Sequence, residues 1–284
     1  MEIYLADEQA FHFIPRFTIE VARDRVEQKK TGLVAGTVGS LLSRPNPGDI
    51  QLASVESRLE PFWVIAAAAR TVYDRTRSFS VPVSGPEVQQ VNVLGQDLPV
   101  VARPKEGPGI TFEGIEHCLE ERKTSKAFNG LTAEKFDADR YQSFPKTVIV
   151  DLDHFAPPET LVIPPQVRAT AVVRQVLAEV IKPVQNAQVI HEESVRVESV
   201  ELNFRPVYAL EYEWTAKGKR AIVEFDALTG EMVGGGKKLS AQIKGMVNRD
   251  MLFDITADAA GLLVPGGSIA VKLVKAVVDR PKSG

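Results

Sequence analysis

The chain has 284 residues, 44% of them apolar and 25% charged, the balance of an ordinary globular protein long enough for two domains. A net charge of -3 offers no basic stripe for nucleic acid, and the single cysteine, Cys118, excludes an internal disulfide framework and suits a reducing compartment. The first eight residues lack the positive and then apolar pattern of a secretory signal, and the longest apolar run, 259–278, is interrupted by Lys272 and Lys275 before it could span a bilayer.

In chain order, Ile14-Pro15-Arg16-Phe17 leads into a first helix at about 19–30. Ile19, Ala22 and Val26 lie on one side of it and charges on the other. Residues 62–73 carry four consecutive alanines, 66–69, which suit a helix by propensity. The preceding Phe62-Trp63-Val64-Ile65 favours a strand. Short strands follow at 78–83, 87–94 and 98–102, separated by Gly85-Pro86 and Gly95-Gln96. The stretch 103–109 reads as a linker, 112–123 as a short helix, 124–142 as a polar segment and 147–152 as a strand.

Pro164-Pro165 opens a second helix at 166–182, with Val172, Val173, Val176, Leu177, Val180 and Ile181 at helical spacing and Pro183 as its stop. Residues 187–200 form a strand. From 203 to 214, Phe204, Tyr208, Leu210, Tyr212 and Trp214 alternate with Asn203, Arg205, Glu211 and Glu213, the period of a half-buried strand. Lys217-Gly218 turns the chain into a return strand through Ala221, Val223 and Phe225. After Gly234-Gly235-Gly236, two tail helices are expected at 239–260 and 268–279.

Two stretches repeat. Residues 55–65 align with 200–210: Val, Glu and Pro are identical, and Leu59, Phe62, Trp63, Val64 and Ile65 match Phe204, Val207, Tyr208, Ala209 and Leu210 in kind. Ile14-Pro15 and Ile163-Pro164 recur before the two helices in the same order. The expected class is therefore α+β, with two related helix-plus-antiparallel-sheet units and a C-terminal helical tail. The expected division is a first unit at 1–102, a connector at 103–160, a second unit at 161–233 and a tail at 234–284.

Asp226, Thr229, Gly230 and Glu231, after Val223-Glu224-Phe225, form an aspartate-x-x-threonine-glycine-glutamate turn. With the helix and strands before it, the stretch 164–233 resembles a PepSY-type unit. That resemblance implies a small α+β unit that binds or inhibits a partner and carries no catalytic residues.

Chemistry-bearing motifs are sparse. The glycines at 32–39 lack a P-loop lysine and dinucleotide spacing, and no Gly-x-Ser-x-Gly elbow occurs. His117, Asp151, Asp153 and His154 are the candidate metal ligands, with nitrogen and oxygen donors that zinc accepts and a metal-dependent hydrolase as the implied enzyme. Phe204, Tyr208, Tyr212 and Trp214 either pack beneath the second helix or form a binding surface. Leu262, Leu263, Val264 and Ile269 place a shared core, a self-association surface or a membrane contact in the tail. The leading expectation is a cytoplasmic, non-catalytic binding or assembly protein without a cofactor. Its partner is a protein or a second copy, not nucleic acid, and the tail offers a membrane surface as an alternative.

Overall fold

The computed structural model describes residues 1–43, 46–103, 107–236, 248–255 and 272–275, with backbone alone at 35–43 and 272–275. The expected α+β class is corrected. Among the described residues strand far outweighs helix, and all but one hairpin of the strands join in one large mixed sheet rather than in two helix-plus-sheet units. The reason is strand length. Strand β3 runs 33 residues, Ile50–Pro82; β10 runs 26, Val189–Trp214; β7 runs 23, Gly107–Asn129.

β10 pairs antiparallel along its whole length with β3 from Ile50 to Asp74, and the two form the centre of an 11-stranded sheet. The other edge of β10 is taken in turn by β1 (Glu2–Leu5) and β2 (Glu8–Phe13), both parallel, and by β11 (Lys219–Asp226), antiparallel. The other edge of β3 receives β9 (Thr160–Val162), parallel, and then β7, antiparallel. β6 (Val101–Arg103), β8 (Lys146–Val148) and β12 (Met232–Gly234) pair with β7, β2 and β11, while β4 (Gln90–Val93) and β5 (Gln96–Pro99) form a separate hairpin.

Three α-helices are described: α1 (Ile19–Ser43), α2 (Ala169–Val180) and α3 (Arg249–Phe253). They pack on one face of the sheet. Val200, Leu202 and Phe204 of β10 meet α2, and Tyr208, Leu210, Tyr212 and Trp214 meet α1, so residues of one parity line both contacts. α2 buries Val172, Val173, Val176, Leu177 and Val180, each contributing roughly 1.5–3 kcal/mol by the usual transfer scale. The alanine run is strand because β10 pairs it on one side and β7 on the other. Ala67 is fully buried beneath α2, in the same cluster as Trp63 and Ile65.

Two further expectations are corrected. Residues 112–123 lie in β7, not a helix. Phe112, Ile115 and Leu119 mimic helical spacing, but pairing with β3 from Pro82 back to Phe62 overrides it. In the tail, 272–275 form strand β13 (Lys272–Lys275), parallel to β1, where a helix was expected.

The sequence repeat maps onto the centre of the sheet. Val55 pairs with Leu210 and Ile65 with Val200, so the two copies lie side by side, antiparallel. Glu60 and Arg205, equivalent in the repeat, face each other, and a pseudo-two-fold axis passes between them. The correspondence extends well beyond the strands. Parallel β2 and β9 meet their partners in matching register, His12 against Phe204 and Val162 against Leu59. The Trp63 indole donates to the Val167 carbonyl at 2.9 Å, and the equivalent Tyr208 hydroxyl donates to the Phe17 carbonyl at 3.0 Å. Each bond fastens the sheet to the segment that leads into a helix.

A second repeat closes each copy: Asn129-Gly130-Leu131-Thr132-Ala133-Glu134 after β7, and Asp226-Ala227-Leu228-Thr229-Gly230-Glu231 after β11. The side chains of Asn129 and Asp226 each accept two amides, from Leu131 and Thr132 and from Leu228 and Thr229. The Gly130 carbonyl accepts the amides of Gln166 and Val167, and the Ala227 carbonyl those of Arg16 and Phe17. Each turn thus holds the start of the other copy's helix. α1 belongs to the first copy yet packs on β11 of the second, so the copies interleave in one sheet.

Candidate functional site: an aromatic cleft opposite the helices

The sheet face turned away from the helices is polar near the axis. It carries Glu56, Arg58, Glu60 and Phe62 from β3 and Asn203, Arg205, Val207 and Glu211 from β10. A crossing segment, residues 135–146, lies over half of it. The Phe136 amide donates to the Ala127 carbonyl at one end, and the Ile14 amide donates to Pro145 at the other, where β8 joins β2.

Beneath this segment is a cleft of about 460 Å³. Behind it lies a small aromatic core in which Phe13, Phe62 and Tyr141 are buried, and Phe136 and Phe144 are the half-buried rings packed on that core. Phe62 stacks on Phe136 with centroids 4.7 Å apart, Phe136 lies nearly parallel to Tyr141 at 5.8 Å, and Phe13 lies 6.0 Å from Phe62. Phe144 also lines the cleft, and Ser125, Lys126, Lys135, Asp137 and Gln142 supply polar walls. Lys146 is committed to Glu201 at 2.6 Å and sits 4.0 Å from the Phe11 ring centre.

Behind Tyr141 and Phe136, Arg205 spans two carboxylates. Its guanidinium donates to Glu60 at 2.7 Å and to Asp226 at 2.9 Å, and it lies 5.6 Å from the Phe136 ring centre. The Tyr141 hydroxyl donates to Asp226 at 2.5 Å. Burial pushes the Tyr141 hydroxyl up to about 12. Burial also works against ionisation of Asp226, but Tyr141, the Thr229 and Leu228 amides and Arg205 together hold it below the usual carboxylate range. Burial opposes the charge of Arg205, and the carboxylates of Glu60 and Asp226 outweigh it, so the group stays cationic. These paired charges form a hydrogen-bonded network behind Tyr141 and Phe136, which line the cleft.

The residues singled out from sequence are placed as follows. Phe204, Tyr208, Tyr212 and Trp214 are all buried, Phe204 in the α2 core and the other three under α1, so none offers a surface. The four candidate metal ligands do not converge. His117, on β7, bonds Asp74 at 2.7 Å; His154 bonds Asp151 at 2.9 Å; Asp153 accepts the Arg249 amide at 2.7 Å. Among the described residues no three His, Cys, Asp or Glu side chains gather to hold a metal ion. Asp74 also accepts from His191, and bonds from His191 and His117 hold its carboxyl below the usual range. Leu262, Leu263, Val264 and Ile269 lie outside the described residues. Among the described helices none is long and apolar enough to cross a membrane.

Sequence reasoning missed Phe136, Tyr141 and Phe144, which fall in what reads as a polar connector. The Asn129–Glu134 turn was the available signal: its likeness to Asp226–Glu231 marks the end of a sheet copy, and aromatic residues just past it have a sheet face to lie on. Comparison of the chain with protein-family models, curated proteins and solved structures gives no match.

Proposed function

We propose that this chain is a non-catalytic binding protein whose recognition site is the aromatic cleft opposite the helices, and that its partner is a protein presenting one apolar or aromatic side chain. The cleft itself carries the reading. It combines aromatic side chains with a few polar groups, the composition of a pre-formed binding pocket, and two of its lining groups, Lys146 and Glu201, are held in an ion pair. Cys118 as an unpaired thiol fits a cytoplasmic location. The PepSY-type resemblance of 164–233 points the same way, toward gripping a partner without transforming it.

The test is fluorescence polarisation with labelled extended hexapeptides whose central residue is Trp, Phe, Leu or Ser. The apolar members are expected to bind and the Ser member to bind at least tenfold more weakly, with Phe136→Ala abolishing the difference. A series that shows no preference for an apolar centre, or a preference that survives Phe136→Ala, overturns the assignment.

A further inference from the structure

Strand β7 has an open side. β3 pairs one edge of it from Gly109 to Asn129. On the other edge β6 reaches only Gly107–Gly109, and Ala127 accepts the Phe136 amide. Among the described residues nothing pairs with that edge from Ile110 to Lys126. An unpaired edge of this length is a template for another strand, and proteins commonly blunt such edges with scattered charge.

The charges on β7 run from acidic to basic. Glu113, Glu116, Glu120 and Glu121 come first, on both sides of Leu119, and Arg122, Lys123 and Lys126 follow. Two apolar side chains on the face opposite the helices, Ile115 and Leu119, are 64% and 57% exposed. A strand that is acidic first and basic last is complementary to itself when reversed.

We propose that a second copy of this chain docks here, β7 against β7, antiparallel about a two-fold axis through Leu119. Antiparallel pairing about such an axis places residues of equal parity opposite each other. With the axis at Leu119, Glu116 meets Arg122 and His117 meets Glu121 of the other copy, each pair occurring twice. Leu119 meets its own counterpart, and the aliphatic stem of Lys123 covers Ile115. Axes at Cys118, Glu120 or Glu121 set carboxylates directly opposite one another, which destabilises a sheet pair. The Leu119 axis has no like-charge pair and uses the open edge from Phe112 to Lys126. The assembled sheet runs continuously through both molecules.

The experiment is light scattering on the full chain, with covalent capture to test the register. Wild type is expected to be a dimer. Leu119→Lys, which sets two ammonium groups face to face at the axis, is expected to raise the dimer dissociation constant at least tenfold while leaving the circular dichroism spectrum unchanged. Glu116→Arg and Arg122→Glu are each expected to be monomeric alone and to form a heterodimer when mixed. In a Cys118→Ala background, Leu119→Cys is expected to form an intermolecular disulfide under mild oxidation, since opposed antiparallel residues lie within disulfide reach; Ile115→Cys alone is not. A wild-type monomer at the highest soluble concentration overturns the proposal. So does a dimer that Leu119→Lys leaves intact and that does not link through residue 119. The cleft assignment is tested by peptide binding to Phe136 variants and stands or falls separately.

Discussion

On one side of the Glu60–Arg205 pair the face opposite the helices is an open cleft backed by aromatic rings; on the other it closes over a buried arginine. The two sides are equivalent in the repeat. Phe62 corresponds to Val207, Asn203 to Arg58 and Asn129 to Asp226. Arg58 is fully buried, with Glu56 at 3.4 Å and Glu60 and Glu224 at 3.6 Å, and none of its nitrogens has a hydrogen-bond partner among the described residues. The same backbone frame thus supports a recess where its side chains are aromatic, and a packed ionic wall where they are charged. What differs between the sides is side-chain chemistry, not strand pairing, since the register is continuous across the axis.

Truncating the equivalent residues is expected to give the largest difference between the two sides. Arg58→Ala strands a group of buried or half-buried carboxylates and is expected to cost about 3–5 kcal/mol. Asn203→Ala, whose amide makes only long contacts to Lys146 and Glu201 at 3.3 and 3.4 Å, is expected to cost about 1 kcal/mol. Urea denaturation of both variants reads the difference. Equal losses would mean that the arginine side is no more tightly committed than the cleft side.

Exchanging the turn residues gives the next largest effect. Asp226 takes charged bonds from Arg205 and a short one from Tyr141, besides its two amides. Asp226→Asn is therefore expected to lose about 2–3 kcal/mol. Asn129 accepts only the amides of Leu131 and Thr132, at 2.8 and 3.3 Å, so Asn129→Asp is expected to stay within about 0.5 kcal/mol. A large loss at Asn129 would show that its turn also carries the wall of a site.

The same network sets pH limits of opposite sign. Asp226 titrates lower in the folded chain than its ordinary 3.8, so its contribution is complete above that value and is lost as pH falls through the folded one. Tyr141 is raised to about 12, so its contribution holds below its ordinary 10.0 and is lost as pH rises from there toward 12. Midpoints of urea denaturation are expected to fall more steeply in wild type than in Asp226→Asn on the acid limb, and more steeply than in Tyr141→Phe on the alkaline limb. Parallel slopes on either limb would remove that residue from the network.

Some of this was legible in the sequence. The match of Trp63 with Tyr208 is a real equivalence, because both side chains reach back to the chain leading into a helix. The alternation at 203–214 and the turn at Gly218 are where periodicity places them. The interleaving was not legible. Residue spacing reports which face a side chain occupies and is silent on which strand lies beside it, so two adjacent copies read as two separate units. The β7 misreading has a local cause: its Glu- and Lys-rich run has good helix propensity, and only its pairing with β3 makes it extended. The cleft escaped notice because its aromatic residues arrive from β2, β3 and the crossing segment, far apart in the chain.

The finest distinction between the copies is one residue in the closing turns. Position 133 is Ala with φ of 61°, and its counterpart 230 is Gly with φ of 78°, both left-handed. Glycine adopts that region freely, while an L side chain there costs roughly 1–2 kcal/mol. A Cβ built on Gly230 would also lie 3.0 Å from Arg25 Nη1 and 3.1 Å from the Phe17 ring, at the foot of α1. Gly230→Ala is thus expected to destabilise by about 1 kcal/mol or slightly more, and Ala133→Gly to stabilise by about 0.5 kcal/mol, because glycine relieves the backbone but loosens the unfolded chain. The two signs must be opposite if the turns share one backbone geometry. Should Ala133→Gly destabilise instead, the alanine methyl is holding the start of the crossing segment in place, and the cleft side depends on a contact that its counterpart does without.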